Sequence, residues 1–268
     1  MNISFIGGGI MAEAIIKGIL NSDVIASSKI SIGEISDERR KYLENTYKIK
    51  SYADNLKAIE NAEIIILSVK PQNFLEISKN ISRNIPDSVT IISIIAGLSL
   101  DDIREAFDIK SIIRVMPNTP AQIGSGMSVW SSTNNVPKKI NDFTKDILES
   151  LGEQLWVKDE NYLNIATALS ASGPAYVFLF ISSLIDAGVY LGLQRDLSRK
   201  LVLQTVLGSC KMLIDSDEHP SDLVDRVASP GGTTIEGLLA FEQGGGRATI
   251  METVIAAYQK SLELGKQN

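Results

Sequence analysis

Short apolar runs with little polar alternation recur through the first part of the chain, and helical patterns separate them. The segment Met11–Leu20 has one apolar face, and Asp37–Tyr47 is highly charged. Strands that are buried on both faces of a parallel sheet have this continuous apolar character. The pattern therefore predicts a doubly wound, mainly parallel α/β domain of the Rossmann type, with right-handed crossovers. The predicted strands are Ile3–Ile6, Lys29–Ile32, Ile64–Val69, Val89–Ile95 and Ile112–Met116.

The alternation stops near residue 158, and almost only helical pattern follows. We therefore predict two domains, a dinucleotide-binding domain over 1–158 and an all-α domain over 159–268. Several of the later helices are apolar on most sides, and such helices must be buried on most sides. Because one small domain cannot cover them all, we expect this half to pack against a second subunit. The predicted helices are Tyr176–Leu193, Leu197–Ile214, Ile235–Phe241 and Ala248–Leu264.

Composition narrows the classes of function. Hydrophobic residues make up 44% of the chain and charged residues 22%, with a net charge of −6. The absence of a basic surplus argues against nucleic-acid binding. No apolar run approaches the roughly 20 residues of a membrane helix, so we expect no membrane association and a cytoplasmic location. A single histidine and a single cysteine make a zinc site improbable, and no metal is predicted.

A glycine-rich loop follows the first strand directly and opens a helix. In a βαβ unit the first glycine permits the tight turn, the second lets the backbone approach a pyrophosphate, and the small third residue lets helix and strand pack closely. The helix start supplies N–H donors and partial positive charge for the phosphates. We therefore predict NADPH or NADH as cofactor, with contacts from Ile6, Gly7, Gly8, Gly9, Ile10, Met11 and Ala12.

The end of the second strand bears on the choice between the two cofactors. Glu34 stands there, and a carboxylate can accept hydrogen bonds from a ribose 2′-hydroxyl while repelling a 2′-phosphate. Arg39 and Arg40 follow closely and could still reach a phosphate. A solvated charge at a strand end is the plainer interpretation of Glu34. Our prediction is that NADH serves at least as well as NADPH.

The ends of later strands should also line the cofactor, because ligands sit beyond the carboxyl ends of strands in such sheets. One end carries Ser68, Val69, Lys70 and Pro71, and the next carries Ile95 and Ala96. Lys70 is as compatible with an ordinary solvated lysine as with a ligand. A third strand end carries the unusual segment Met116–Pro120, which includes Asn118.

The segment Ala228–Gly237 combines glycines and hydroxyls just before a predicted helix. Uncovered N–H groups at that helix start, together with Ser229, Thr233 and Thr234, would form a cradle for a carboxylate. A Ser/Thr-capped helix after a glycine turn explains the same residues. The local sequence slightly favours the capped helix.

The whole chain resembles pyrroline-5-carboxylate reductases. The resemblance implies a Rossmann domain followed by a helical dimerisation domain, with the active site between the two halves of a homodimer. Higher assemblies such as a decamer are left open. It also implies reduction of 1-pyrroline-5-carboxylate to proline, the last step of proline biosynthesis. The motifs that carry it are Phe5–Ala12, Val69–Pro71, Ala96–Gly97, Arg114–Pro120, Ser172–Tyr176, Glu218–Pro220 and Ser229–Thr234.

The resemblance also implies roles at matching positions. Ser229 and Thr234 would be the catalytic-site hydroxyls that hold the substrate, with N–H groups of Gly231, Gly232 and Thr233 taking its carboxylate. Asn118 is a further candidate for substrate contact, and Asn55 for cofactor contact along with Ser68, Lys70 and Pro71. Glu34 departs from the many relatives that have a small hydroxyl or basic residue there.

Other interpretations remain open from the residues. A β-hydroxyacid or coenzyme-F420-linked reductase would share the two-domain plan, although Ser170–Tyr176 lacks the catalytic lysine of the former. A non-catalytic dinucleotide sensor is disfavoured because both substrate-side motifs are intact. His219 stands beside Pro220 in a polar loop, so we predict a turn or cap role there and not acid catalysis.

Overall fold

A single eight-stranded sheet forms the centre of the N-terminal region in the computed structural model, which describes residues 1–266. The strand order is β3-β2-β1-β4-β5-β6-β7-β8. Neighbouring strands are parallel except β6 and β7, which are antiparallel. The strands are β1 (Ile3–Ile6), β2 (Ile30–Gly33), β3 (Lys50–Tyr52), β4 (Ile64–Leu67), β5 (Thr90–Ser93), β6 (Ile112–Met116), β7 (Gly126–Ser132) and β8 (Gly152–Trp156).

Helices cover both faces of this sheet, as the continuous apolar runs predict. Alternate side chains of β4 enter different cores: Ile64 and Ile66 join one, and Ile65 and Leu67 join the other. The first core includes residues of α1, α2 and α6, and the second includes residues of α3, α4 and α5. These helices are α1 (Ile10–Asn21), α2 (Asp37–Tyr47), α3 (Asn55–Ile59), α4 (Phe74–Ile81), α5 (Leu100–Phe107) and α6 (Lys138–Glu149).

The strands that the apolar pattern did not reveal are β3, β7 and β8. Both β3 and β8 are edge strands, and most of their residues are partly or fully exposed. The interior strand β7 carries Ser128 and Ser131, which are buried despite their hydroxyls. A strand of this composition lacks the apolar continuity that identifies the central strands. The doubly wound, mainly parallel sheet is nevertheless confirmed.

The described chain divides into two compact units, 1–172 with 257–266 and 173–256. A short helix, α7 (Asn161–Ala166), and a π-helical turn, Thr167–Ala171, belong to the first unit. The second unit is entirely helical in its described secondary structure. It consists of α8 (Gly173–Tyr190), α9 (Arg195–Ile214), α10 (Pro220–Val227), α11 (Thr233–Gln243) and the start of α12 (Gly246–Lys266).

Helices α8 and α9 form a helical hairpin around a turn at Gly192, which has a φ of +103°. Ser198 Oγ donates to the carbonyl of Ile185 at 2.8 Å and ties the two helices together. Most apolar side chains of this hairpin are exposed in the single chain, among them Phe178 and Leu179 at 63% and 69%.

Helix α7, the π-helical turn and α8 run together as a 30-residue helical stretch, Asn161–Tyr190. This stretch is long and apolar enough to cross a membrane, and only 11% of its most apolar window is buried within the chain. The expectation that no apolar segment reaches such a length was therefore wrong. Length and composition alone are weak evidence for a membrane span, since helices that pack in protein cores satisfy the same criteria.

Candidate functional site

The glycine loop lies at the point of the sheet where the strand order reverses, because β1 pairs with β2 on one side and β4 on the other. Ligands of doubly wound sheets bind at such a point. Gly7 has a φ of +97°, and a Cβ there would lie 2.7 Å from Val69 Cγ1 and 2.9 Å from the Ser68 carbonyl oxygen. Ser68 Oγ donates to the carbonyls of Ile6 and Gly7 at 3.0 and 2.8 Å. The Ser68 hydroxyl thus joins the two strand ends, and the close approach of Val69 and the Ser68 carbonyl requires a glycine at position 7.

Gly9 differs from Gly7, because no heavy atom of the described chain lies within 4 Å of where its Cβ would stand. It is the N-cap of α1, and no side chain among residues 1–266 caps this helix start. An open space therefore lies beside this uncapped helix start, at a residue without a side chain. This arrangement fits a dinucleotide pyrophosphate, which needs N–H donors and close backbone approach.

The carboxylate of Glu34 binds the loop itself. Its Oε2 accepts from the Gly8 amide and its Oε1 from the Ser36 amide, both at 2.8 Å. Each carboxylate oxygen has a second lone pair, so the group can still accept a hydrogen bond from a ribose hydroxyl. Glu34 therefore combines a structural role with the position that sequence analysis predicted for a ribose contact.

The two arginines that follow are both paired within the protein. Arg40 donates to the carbonyls of Glu34 and Ile35 at 2.7 and 2.9 Å and pairs with Asp37 at 3.0 Å. Arg39 Nε donates to the carbonyl of Gly8 at 2.6 Å, and its Nη2 pairs with Glu13. Neither guanidinium extends toward solvent as an unpaired phosphate ligand would.

Glu13 is a residue whose importance sequence analysis missed. Its Oε1 accepts from the hydroxyls of Tyr42 and Tyr47 at 2.9 and 2.8 Å, while its Oε2 pairs with Arg39. Burial raises the pKa of Glu13, but these hydrogen bonds outweigh it, and the pKa lies below its usual value. Burial and the nearby Glu13 carboxylate raise the pKa of Tyr47. The partners lie 26 to 34 residues apart, so no local pattern reveals the pairing.

The remaining predicted cofactor residues lie in the same unit, but their side chains differ in exposure. The side chains of Ile6, Ala12 and Ile95 are buried, so only their backbones could contact a ligand. Asn55 lies against the end of β2, where a Cβ on Gly33 would be 2.2 Å from its Oδ1. Lys70 is exposed and precedes a 3₁₀ turn at Pro71–Asn73. The exposed or partly exposed members are Ile10, Met11, Asn55, Ser68, Val69, Lys70, Pro71 and Ala96.

Asn118 uses its side-chain amide within the first unit. Its Oδ1 accepts from the Met127 amide at 2.9 Å, and its Nδ2 lies 3.4 Å from the Ser170 carbonyl and 3.3 Å from Ser170 Oγ. Ser170 is part of the π-helical turn, and such turns occur frequently at functional sites. Asn118 therefore anchors this turn to the end of β6, and its predicted substrate contact stays a prediction.

A buried arginine supports the same strand end. Arg114 on β6 is 3% exposed and donates to Asn164 Oδ1 at 3.2 Å. Its Nη1 lies 3.9 Å from the Glu160 carboxylate, which accepts from the Leu100 amide. Burial lowers the pKa of Arg114, and Glu160 and Asp102 oppose that shift. A buried charge needs such partners, so Arg114 holds β6 and α7 in one arrangement.

The predicted carboxylate cradle lies at the start of α11 in the second unit. Gly231 has a φ of +68°, and Gly232 is an N-cap without a side-chain cap in the described structure. A Cβ on Gly232 would lie 2.3 Å from Ser229 Oγ, so the hydroxyl stands beside the uncapped helix start. The Gly232 amide donates to the Ser229 carbonyl at 3.0 Å and is engaged inside the turn. No such bond is found over residues 1–266 for the amides of Gly231 and Thr233.

His219 is the N-cap of α10, and its Nδ1 accepts from the Ser221 amide at 3.2 Å. The predicted cap role is confirmed. Over the part of the chain that the structure describes, no group of three or more His, Cys, Asp or Glu side chains could hold a metal ion.

Two family models match different parts of the chain. A family model described as pyrroline-5-carboxylate reductase dimerisation matches residues 160–264. A second model, described as NADP oxidoreductase coenzyme F420-dependent, matches residues 2–97. The second match is limited to the region around the glycine loop and the first half of the sheet.

Relatives are similar over the full length. The pyrroline-5-carboxylate reductase of Synechocystis sp. is 40% identical over 100% of this chain and 99% of its own length. The Glycine max protein of the same name is 37% identical over 98% of this chain and 95% of its own. A crystal structure of Plasmodium falciparum pyrroline carboxylate reductase with NADP bound has a TM-score of 0.91 and 36% identity. It covers 99% of this chain and 98% of that one.

Proposed function

Because this chain belongs to the pyrroline-5-carboxylate reductase family, we propose that it reduces 1-pyrroline-5-carboxylate to L-proline with NADPH or NADH. The observation that carries this proposal is the pair of uncapped helix starts beside glycines. One is the start of α1, directly after β1, and the other is the start of α11. Two anions must be held in this reaction, the pyrophosphate of the cofactor and the carboxylate of the substrate.

The glycine loop supports cofactor binding through its backbone. The bound nicotinamide supplies a hydride, which adds to the carbon of the substrate C=N bond while a proton is added at nitrogen. The residues proposed for this half are those of the loop and of the β2, β4 and β5 ends, with Asn55. Their task is to fix the dinucleotide so that the ring of the substrate and the nicotinamide meet at reacting distance.

The α11 start supports substrate binding. The Ser229 and Thr234 hydroxyls would hold the substrate, and the amides of Gly231 and Thr233 would bind its carboxylate, with Gly232 keeping the turn closed. Thr234 is half-buried, so its hydroxyl is better placed than that of exposed Thr233 to bond the ring nitrogen. A hydroxyl is a poor acid, and the protonated imine accepts hydride readily, so we assign Thr234 to orientation.

The direct test is oxidation of NADH and NADPH by the purified chain with 1-pyrroline-5-carboxylate. Formation of proline in equal amount to the cofactor oxidised would support the proposal. Cofactor binding without turnover would support a dinucleotide sensor instead, and turnover of β-hydroxyacids alone would support the other reductase class.

Glu34 provides a prediction about cofactor preference. We expect kcat/KM with NADH to equal or exceed that with NADPH, because a 2′-phosphate would lie against a carboxylate and beside arginines that are already paired. Glu34→Gln removes the charge and keeps one acceptor oxygen, which can serve the Gly8 amide, while the bond from the Ser36 amide is lost. It should shift the ratio toward NADPH by about tenfold, since opposed like charges are costly.

Glu38→Gln is a matched control, because Glu38 is an exposed residue of the neighbouring helix. Its cofactor ratio should equal that of the wild type. A strong wild-type preference for NADPH that Glu34→Gln leaves unchanged would refute the role of Glu34.

We propose that the α8–α9 hairpin forms the interface of a homodimer. The dimerisation model covers this region, and exposed apolar patches of this kind mark interaction sites. Leu179→Glu should raise the dimer dissociation constant by at least about tenfold in analytical ultracentrifugation. Leu75→Glu is the control, since Leu75 is 52% exposed on α4 and should leave the dimer intact.

A stable wild-type monomer at micromolar concentration would contradict this interface. A decamer would appear in the same experiment as a larger species. A homodimer interface would also account for the apolar length of Asn161–Tyr190 without a membrane, and the cytoplasmic location stays a prediction.

A further inference from the structure

We infer that Arg39 is a positioning residue for cofactor binding, which acts on the glycine loop and makes no contact with the cofactor. The inference rests on the proposed function and goes beyond it. It states that a network of four side chains sets the orientation of the amides in the glycine loop. The network consists of Arg39, Glu13, Tyr42 and Tyr47.

The network begins at the first turn of α2. Ser36 caps this helix and accepts from the Arg39 amide at 3.3 Å, which fixes where the arginine starts. The Arg39 side chain is only 26% exposed, and its guanidinium lies over the Tyr42 ring at 5.0 Å from the ring centroid. A guanidinium stacked on an aromatic ring keeps its plane and loses little freedom when it donates.

From there the guanidinium contacts the loop carbonyls. Nε donates to the Gly8 carbonyl at 2.6 Å, and Nη2 lies 3.5 Å from the Gly9 carbonyl. In a planar trans peptide the C=O and the following N–H point in opposite directions. Holding the Gly8 and Gly9 carbonyls toward α2 therefore turns the amides of Gly9 and Ile10 away from α2. Those amides are the donors expected at the pyrophosphate.

Glu13 anchors the guanidinium to the helix that the loop opens. It lies in the first turn of α1, and its second carboxylate oxygen accepts hydrogen bonds from both tyrosine hydroxyls. These bonds keep Glu13 ionised at neutral pH, as the direction of its pKa shift indicates. The Arg39–Glu13 pair is then neutral overall, so it contributes geometry and little long-range attraction for a phosphate.

This geometry distinguishes a positioning residue from a direct phosphate ligand. If the loop amides are misoriented, the protein loses affinity for the pyrophosphate. Because NADH and NADPH share this group, the affinity for both cofactors falls. Loss of a ligand to the 2′-phosphate would weaken NADPH alone and would depend strongly on salt. The comparison of the two cofactors therefore separates the two roles.

The experiment measures dissociation constants of NADH and NADPH by the fluorescence of the reduced nicotinamide, with wild type, Arg39→Ala, Arg39→Lys and Lys41→Ala. Arg39→Ala should weaken both cofactors by a similar factor of about tenfold, with little change in KM for 1-pyrroline-5-carboxylate. Arg39→Lys should recover only part of the loss, because an ammonium cannot reproduce the planar set of N–H donors with which the guanidinium contacts two carbonyls and Glu13. Lys41, 69% exposed and paired with Asp37, is the matched control and should show no change.

Thermal unfolding of the same variants keeps the test decisive if Arg39→Ala is unstable. Arg39→Lys retains the charge and most of the packing, so loss of affinity in a variant with a wild-type Tm would support the inference. Unchanged affinity for both cofactors, or a loss confined to NADPH, would overturn it. A wild type that binds neither cofactor would overturn the proposed function as well.

Discussion

Replacing Gly9 with alanine should weaken the binding of both cofactors by about 10- to 100-fold while the fold stays intact. No heavy atom of the described chain would touch the new methyl group, and the φ of −67° suits alanine. The methyl would instead occupy the space where a pyrophosphate must approach, and such overpacking costs roughly 1–3 kcal/mol. Titration with NADH and with NADPH, combined with urea unfolding, measures both effects.

Two further variants sharpen this result. Gly9→Ser adds the same Cβ and introduces an N-cap hydroxyl, so it should be at least as stable as the wild type and still bind poorly. Gly7→Ala should lose both stability and binding, because its Cβ would meet Val69 and the Ser68 carbonyl and its φ is positive. Normal cofactor affinity in Gly9→Ala would show that no pyrophosphate approaches this part of the loop.

Replacing Thr234 with alanine should lower kcat/KM for 1-pyrroline-5-carboxylate by about 10- to 100-fold. A hydrogen bond that involves a charged group contributes roughly 1.5–3 kcal/mol, and the protonated imine or its carboxylate is charged. Alanine is favourable in a helix, so α11 should remain folded. Cofactor affinity should not change, because the loop after β1 is untouched. Steady-state kinetics with the substrate varied measures the loss.

Thr234→Ser and Thr233→Ala are the controls. Serine keeps the hydroxyl and should restore most of the activity, whereas a purely structural role of the methyl group would not be restored. Thr233 is exposed and would contribute mainly its amide, so Thr233→Ala should be nearly as active as the wild type. Full activity of Thr234→Ala would remove Thr234 from the site.

The central part of the fold follows from hydrophobic pattern alone. Five central strands are nearly continuous apolar runs, and each is buried on both sides in the structure. The helix bounds Asp37–Tyr47 match the prediction because charge pattern and an N-cap serine agree there. The edge strands β3 and β8 escaped prediction because an edge strand faces solvent and can be polar.

The candidate site was predictable where function depends on backbone. The glycine loop, in its βαβ context, predicts an uncapped helix start, and the structure has one there. The Ser229–Thr234 segment precedes a second uncapped start, although its local sequence slightly favoured a capped helix. Side-chain roles were less predictable. Arg39 and Arg40 suggested phosphate ligands, yet both guanidiniums are paired with protein groups.

By itself the sequence determined the class of sheet, the place of the two helix starts, the cap role of His219 and the family. The first three depend on local periodicity and on residues within a few positions of each other, and the family depends on a series of such local motifs along the whole chain. Only the tertiary structure decided which carbonyls Arg39 holds, what Glu34 binds and how Asn118 anchors the π-helical turn. These contacts join residues that are 26 to 52 positions apart, and the physical reason is that strand order and helix packing bring them together. A local pattern carries no information about such pairings.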